Sequence, residues 1–346
     1  MPSLDPDFLA RLRFRTVELG IIHRLGEARG RQDLFVRQFP EQLETLRTHA
    51  LIESAESSNR IEGVIAAPGR VADLVIKRTE PRSRSEQEIA GYRDALQLIH
   101  QTHAHIPFSP NVLLQFHQML YRYQPGAGGH WKTADNQIIE RDARGRVLRV
   151  RFEPTPAVQT PQAIADLTSG FANAMAGGLA DPLVLTPLAI LDFLCVHPFT
   201  DGNGRVARLL SLLLLYRFNY RVGRYISIER IVEESRETYY EALEQSSRGW
   251  HDSVHDAGPW LSYFWGVLIR AYGEFEARVH SLQGSKTTQV RTAVLRRHGP
   301  FSMSEVEHDC PGVSRDMVRH VLRQMRAEGL LQVEGRGRGA RWRALD

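Results

Sequence analysis

Two apolar stretches, residues 185–196 and 205–218, mark the centre of the chain. The first carries Leu188, Leu191, Phe193, Leu194 and Val196, the second Leu209, Leu210 and Leu212 to Leu215, and each is long enough for a buried helix. Apolar residues at three- and four-residue steps predict further helices on both sides. One begins after Pro40 and buries Leu43, Leu46, Ala50, Leu51 and Ala55, with Gly63 as its stop. Residues 70–106 read as a helix pair around Pro81 with the stripe Ile89, Tyr92, Ala95, Leu96 and Ile99. Ser109-Pro110 opens another helix, residues 161–184 hold one ending at Gly177-Gly178, and residues 233–247 and 260–279 hold two more. Residues 4–40 alternate helical patches, with breaks expected at Gly26, Gly30 and Pro40.

The period changes between residues 126 and 160. Two strand-like runs, 136–140 and 146–152, flank a turn expected at Asp142-Ala143-Arg144-Gly145, and together they predict a lone β-hairpin. The edge of such a hairpin pairs with an extended peptide by strand addition. After an expected linker at Gln283-Gly284-Ser285 the pattern restarts on a smaller scale. Val290 and Val294 mark one helix, residues 303–306 begin a second, residues 315–328 bury Val318, Val321, Leu322 and Met325, and two short strands surround residues 335–339.

Composition narrows the class without adding to the map. The chain has 346 residues, 42% hydrophobic and 24% charged, which fits a globular protein of two or three domains and excludes fibrous or disordered classes. Residues 287–346 hold eleven arginines against seven acidic residues, so the formal net charge of +4 resides there. Cys195 and Cys310 are isolated, which argues against a disulfide framework or a zinc site. His100, His103 and His105 read as a solvated group. No apolar run spans a bilayer, and a cytoplasmic protein with no membrane partner is expected.

The chemistry is concentrated between the two apolar stretches, in His197-Pro198-Phe199-Thr200-Asp201-Gly202-Asn203-Gly204-Arg205-Val206-Ala207-Arg208. Pro198 and the glycines make this a loop, and the following helix presents free N–H groups that attract an anion. Two arginines beside such a terminus suit a polyphosphate, and Asp201 suits Mg²⁺ held against its oxygens. His197 alone accepts a proton near neutral pH. Base, metal carboxylate and phosphate cradle point to transfer of a phosphorus-centred group to a hydroxyl.

The same string resembles the Fic family signature H-x-F-x-[DE]-G-N-G-R-x-x-R, with every specified position matched. The resemblance implies a mainly α fold, a Fic helical core with a β-hairpin flap, and transfer of AMP from ATP to a Ser, Thr or Tyr hydroxyl of a protein. It makes His197 the base, Phe199 a core anchor and Asp201 the Mg²⁺ ligand. Gly202, Asn203 and Gly204 become the anion hole, with Arg205 and Arg208 on the outer phosphates. Ile138 on the flap, Tyr239 and Tyr240 are placed with the nucleotide, although Ser247 stands where the family often has Asn beside adenine. Ser58, Glu62 and Gly63 match the family's inhibitory motif, in which the Glu pairs with the second signature arginine, here Arg208. Rival readings keep the site with another donor or with AMP removal, or treat the core as a nucleotide sensor.

Residues 286–346 resemble a winged helix-turn-helix. Arg315, Arg319, Arg323 and Arg326 are expected on the exposed face of its recognition helix and Arg336 and Arg338 in its wing, with duplex DNA, a docked protein or a second copy of the chain as open partners. The expected division is therefore an N-terminal helical region 1–105 with the inhibitory motif at 58–63, a Fic core 106–282 and a winged-helix domain 286–346.

Overall fold

A computed structural model describes the chain except residues 68, 125, 127, 142–145, 283–285, 298, 311, 335–340 and 346, and the side chains of residues 41, 42, 141, 281 and 282. The expected turn at 142–145, the linker at 283–285 and the wing arginines Arg336 and Arg338 lie outside the described residues. Two compact units emerge, Met1–Phe275 and Glu276–Asp346.

The first unit is helical: α1 (Pro6–Arg11), α2 (Thr16–Gln38), α3 (Pro40–Ile61), α4 (Arg70–Ile76), α5 (Arg84–Thr102) and α6 (Pro110–Leu120) precede the hairpin β1 (Ile138–Arg141) and β2 (Val147–Phe152). Then follow α7 (Thr160–Ala176), α8 (Pro182–Val196), α9 (Asn203–Arg217), α10 (Ile228–Glu234), α11 (Arg236–Ser247) and α12 (Gly258–Leu282). The expected start at Ser109-Pro110 is held by a cap, Ser109 accepting from Val112 N, and α5 is capped likewise by Ser83, which accepts from Glu86 N.

The two apolar stretches become the centre. Every residue of α8 from Leu183 to Val196 is buried, and α9 is buried from Val206 to Tyr216. Pro187 inside α8 has no N–H for the carbonyl of Leu183, and the indole of Trp265 donates to that oxygen instead, at 2.7 Å. The carbonyl that the proline leaves without a helical donor is thus satisfied by a side chain of α12.

Several expectations need correction. No break occurs at Gly26 or Gly30: α2 runs through both. A helical glycine costs roughly 1 kcal/mol, and burial of Leu25, Ala28, Gln32 and Phe35 along one face outweighs it. The helix expected over 233–247 is two, divided at Ser235, whose hydroxyl bonds back to the carbonyl of Ile231. His100 is buried, not solvated, and bonds the hydroxyl of Tyr216 at 3.2 Å. Among the described residues no group of His, Cys, Asp and Glu is built to hold a metal, and no helix is long and apolar enough to cross a membrane.

The second unit comprises α13 (Lys286–Leu295), α14 (Met303–Asp309) and α15 (Arg315–Ala327), followed by β3 (Leu331–Glu334) paired antiparallel with β4 (Arg341–Ala344). Val290, Val294, Phe301, Val306, Val318, Val321, Leu322, Met325 and Leu331 form its own core. Arg315, Arg323 and Arg326 are exposed and Arg319 half-buried. With the buried stripe as reference, these four arginines fall on one edge of α15, and Asp316, His320 and Ala327 occupy the face opposite the core.

Candidate active site

The C-terminal end of α8 turns sharply. His197 closes the helix at φ 49°, in the left-handed region, with its N–H on the carbonyl of Phe193 at 2.9 Å. Its ring Nδ1 lies 3.2 Å from the carbonyl of Leu194, an atom that only accepts, so Nδ1 carries the proton and Nε2 keeps its lone pair. Burial pushes the imidazole down to about 4; the Leu194 bond, Glu62 and Asp201 act the other way and Lys132 adds to the depression. The ring is therefore neutral at pH 7.

Residues 198–203 then close into a ring of their own. Phe199 is buried beneath them, stacked on His117 with centroids 3.9 Å apart and on Trp131 at 5.3 Å, as an anchor should be. The side chain of Asn203 accepts from the N–H of Phe199 at 2.9 Å and donates to the same residue's carbonyl at 2.7 Å. Gly202 sits at φ 83°, which only glycine adopts without strain, and starts α9. The first helical bond runs from Val206 N to Gly202 O, so the N–H groups of Asn203, Gly204 and Arg205 form the unpaired helix terminus.

That terminus is already covered by an anion. Glu62, the residue capping the C-terminal end of α3, places its carboxylate over Gly204, where any Cβ would collide with Oε1. Oε1 also accepts from Arg208 at 2.7 Å. Arg208 is held from a second side by Ser58, Nε donating to its hydroxyl and a terminal nitrogen to its carbonyl, both at 2.8 Å. The remaining guanidinium nitrogen, NH1, is buried without a partner. Glu62 sits against the negative end of the α3 dipole, and Arg208 is the cation that offsets this placement. Gly63 follows at φ 80° and ends the helix.

Arg205 departs from its expected place. It points away from the cleft, 1% exposed, pairing with Glu88 of α5 and donating to the hydroxyl of Tyr121 at 2.9 Å. A buried guanidinium needs a carboxylate and all its donors satisfied, and Glu88 supplies the first requirement. Arg205 thus braces the loop from behind, and Arg208 alone faces the anion position. Asp201 presents a mostly exposed side chain, accepting from Tyr121 at 2.9 Å and from Gly202 N at 2.6 Å. Burial of part of the carboxyl works against ionisation, but Arg205, Tyr121 and the Gly202 N–H hold it below the usual range.

A cleft of about 140 Å³ joins Glu62, Ile138, His197, Gly204, Arg208, Tyr239, Tyr240 and Ser247. Small-molecule sites typically offer roughly 300–1,000 Å³, so with Glu62 in place this one is partly filled. Gly202, Asn203, Asp201, Arg205, Ser58 and Gly63 do not line it.

Sequence reasoning missed the device that holds the flap over this cleft. Arg149 of β2 makes a two-pronged bond to Glu244 of α11 at 2.8 and 3.0 Å, and Arg151 adds another at 2.6 Å. Arg149 hydrogen-bonding foremost, and Arg151 and Arg248 after burial's opposing effect, hold Glu244 down to about 2. The spacing of Arg149 and Arg151, two apart on one strand face, was the available signal. It also missed Lys132 and Asn136, which bond the backbone around His197.

Residues 107–215 match the Fic/DOC family model. The chain is 26% identical over 184 residues to protein adenylyltransferase fic-1 of Caenorhabditis briggsae, covering 52% of this chain and 32% of that protein, with the same coverage for fic-1 of Caenorhabditis elegans. It thus spans about a third of the length of these curated relatives. A crystal structure of a Fic family protein from Desulfovibrio desulfuricans G20 superposes with a TM-score of 0.64 at 21% identity, over 96% of this chain and 97% of that one. Fic-1 (residues 134–508) from C. elegans superposes at 0.58 with 20% identity, over 78% and 74%. The loop that turns His197 toward the α9 terminus lies within residues 107–215, the part of the chain that is similar to the Fic/DOC family.

Proposed function

We propose that the chain is a protein adenylyltransferase, moving AMP from ATP to a Ser, Thr or Tyr hydroxyl of a protein held at the flap, and to itself. The observation that carries this reading is the meeting, in one cleft, of a neutral His197 with the α9 terminus and Arg208. The similarity to protein adenylyltransferase fic-1 of the two Caenorhabditis species supports it. In the reaction the target hydroxyl oxygen bonds to the α-phosphorus of ATP as the bond to the bridging oxygen of pyrophosphate breaks. Nε2 of His197 takes the hydroxyl proton, and pyrophosphate leaves with the electron pair. The N–H groups of Asn203, Gly204 and Arg205 and the guanidinium of Arg208 bind the phosphates. Asp201, an ionised and mostly exposed carboxylate, fits Mg²⁺ bound by one protein oxygen and completed by substrate phosphates. Mg²⁺ bound there would neutralise charge on the phosphate oxygens.

Glu62 makes this resting form an inhibited one. Its carboxylate occupies the anion position and engages the arginine that would clamp the outer phosphate, so ATP that still enters is misaligned for in-line attack. The reading is tested by offering labelled ATP and cell lysate to the parent chain and to His197→Ala. Loss of the base should lower transfer by about 10²-fold or more while ATP binding persists. Transfer at the parent rate would remove His197 from the chemistry.

A second reading concerns the other unit. We infer that residues 286–346 are a winged helix that binds duplex DNA through the arginine edge of α15, because Arg323 and Arg326 are exposed there with no acidic partner among the described residues.

A further inference from the structure

The turn that presents His197 is bonded, carbonyl by carbonyl, from the root of the flap. Lys132 Nζ donates to Val196 O at 3.1 Å, and the Lys132 backbone N–H donates to Pro198 O at 2.8 Å. Asn136 Nδ2 donates to His197 O at 3.4 Å and to Phe199 O at 3.1 Å. Lys132 Nζ in turn donates to Asn136 Oδ1 at 2.8 Å and fixes the orientation of that amide. All the carbonyls from Val196 to Phe199 are thus satisfied by two residues that precede β1.

These bonds answer a local need. The last carbonyls of α8 have no helical donor, and the left-handed backbone at His197 is strained unless its surroundings hold it. Lys132 is also an unusual choice for the task. It is 4% exposed, yet among the described residues it forms no ion pair; its bonded partners are neutral oxygens of Val196 and Asn136. Burying an ammonium without a counter-ion is expensive, and burial brings it down to about 8 against the attraction of Asp135. An uncharged side chain would fill the space at lower cost. The charge therefore has a use where it stands, behind the base.

We propose that Lys132, working with Asn136, is the positioning residue of the base, fixing the turn so that Nε2 of His197 faces the cleft and setting a positive charge behind the ring. This rests on the reading of His197 as the base. The groups that face the ring are Lys132 from the flap root, Glu62 from the end of α3, Asp201 from the signature loop and the Leu194 carbonyl of α8. Lys132 is the cation that acts most on the ring, against Glu62, Asp201 and the Leu194 carbonyl; Arg208 lines the same cleft but is paired with Glu62.

The test uses the full chain with Lys132→Met, Lys132→Arg and Asn136→Ala. Lys132→Met should lower kcat for AMP transfer about tenfold or more with the Kd for ATP changed less than twofold, Lys132→Arg should restore most of kcat, and Asn136→Ala should give an intermediate loss. Equal losses in kcat and ATP binding, or no recovery in Lys132→Arg, would make Lys132 an ordinary structural residue and overturn the proposal. An NMR titration of the His197 ring, assigned by difference from His197→Ala, needs no activity. Its midpoint should rise in Lys132→Met and stay in Lys132→Arg. An unmoved midpoint in Lys132→Met overturns the proposal even in a chain that transfers nothing, whereas a risen midpoint in such a chain leaves it standing and rejects only AMP transfer. Should Lys132→Met not fold, Asn136→Ala decides by the same kcat-against-Kd comparison.

Discussion

Helices α9 and α15 both carry arginines at helical spacing, and the two sets are put to opposite uses. Arg205 and Arg208 of α9 are buried, and each meets a carboxylate delivered by a distant element, Glu88 of α5 or Glu62 at the end of α3. The arginines of α15 stay in water. Arg315 meets Glu307, Arg319 meets Asp316 one turn away, and Arg323 and Arg326 are free of acidic partners among the described residues. A buried guanidinium fixes geometry, because neither it nor its partner tolerates being left alone. An exposed one supplies a field and little else. Within α9 the division continues in where each points: both keep one buried nitrogen without a partner, but that of Arg208 lies beside Gly204, where it can exchange one anion for another, whereas Arg205 is turned toward Glu88 and Tyr121.

The sharpest way to break this comparison is Arg205→Ala, which leaves Glu88 buried without its cation. It should cost about 3–5 kcal/mol of unfolding free energy, against a change within about 0.5 kcal/mol for Arg323→Ala. Denaturant melts of the two variants check it, and equal small losses would erase the distinction between the helices.

Protons sharpen the same contrast. Burial pushes His100 down to about 3, with the charge of Arg224 adding to it. A depressed histidine contributes stability that is fully present above its unfolded value near 6.5 and lost as pH falls toward about 3, at about 1.4 kcal/mol per pH unit. Melts at pH 7 and pH 5 should show a slope to which the depressed His117, His197 and His255 also contribute, and His100→Gln should flatten it by about one proton. An unchanged slope would mean that His100 is not what the acid protonates.

The smallest effect belongs to the exposed set. If α15 binds duplex DNA, affinity should fall steeply with salt, and Arg323→Ala and Arg326→Ala should each reduce the slope by about one phosphate contact. Absent or salt-independent retention on duplex would leave the arginine edge without that partner.

What the sequence disclosed follows from how far apart the interacting residues lie. The signature loop is contiguous, so its candidate base and its helix terminus could be read from residue types and spacing, while Phe199 as an anchor came with the family resemblance. Glu62 and Arg208 are far apart in the chain, and only the resemblance to an inhibitory motif brought them together; the structure places them 2.7 Å apart. Arg205 was assigned to phosphate because it sits in the signature, but its true neighbour, Glu88, is 117 positions earlier and carries no local signal. The burial of His100 is likewise a tertiary fact, created by α9 packing over the end of α5. The helix running through Gly26 and Gly30 shows packing overriding propensity. Lys132 did leave a trace, as one of three lysines among 44 basic residues, but compositional bias explained the count without the position.

Inhibition depends on the Glu62 carboxylate holding the place of a phosphate. Glu62→Gly removes that carboxylate at a position already ending a helix, freeing Arg208 and the α9 terminus together. With α-labelled ATP, self-modification and transfer to lysate proteins should rise by at least about tenfold over the parent chain, a barrier change of only ~1.4 kcal/mol. Label transfer that stays unchanged or falls, in a variant that melts like the parent and binds ATP, would contradict the account and leave Glu62 as scaffold or as a participant in the chemistry.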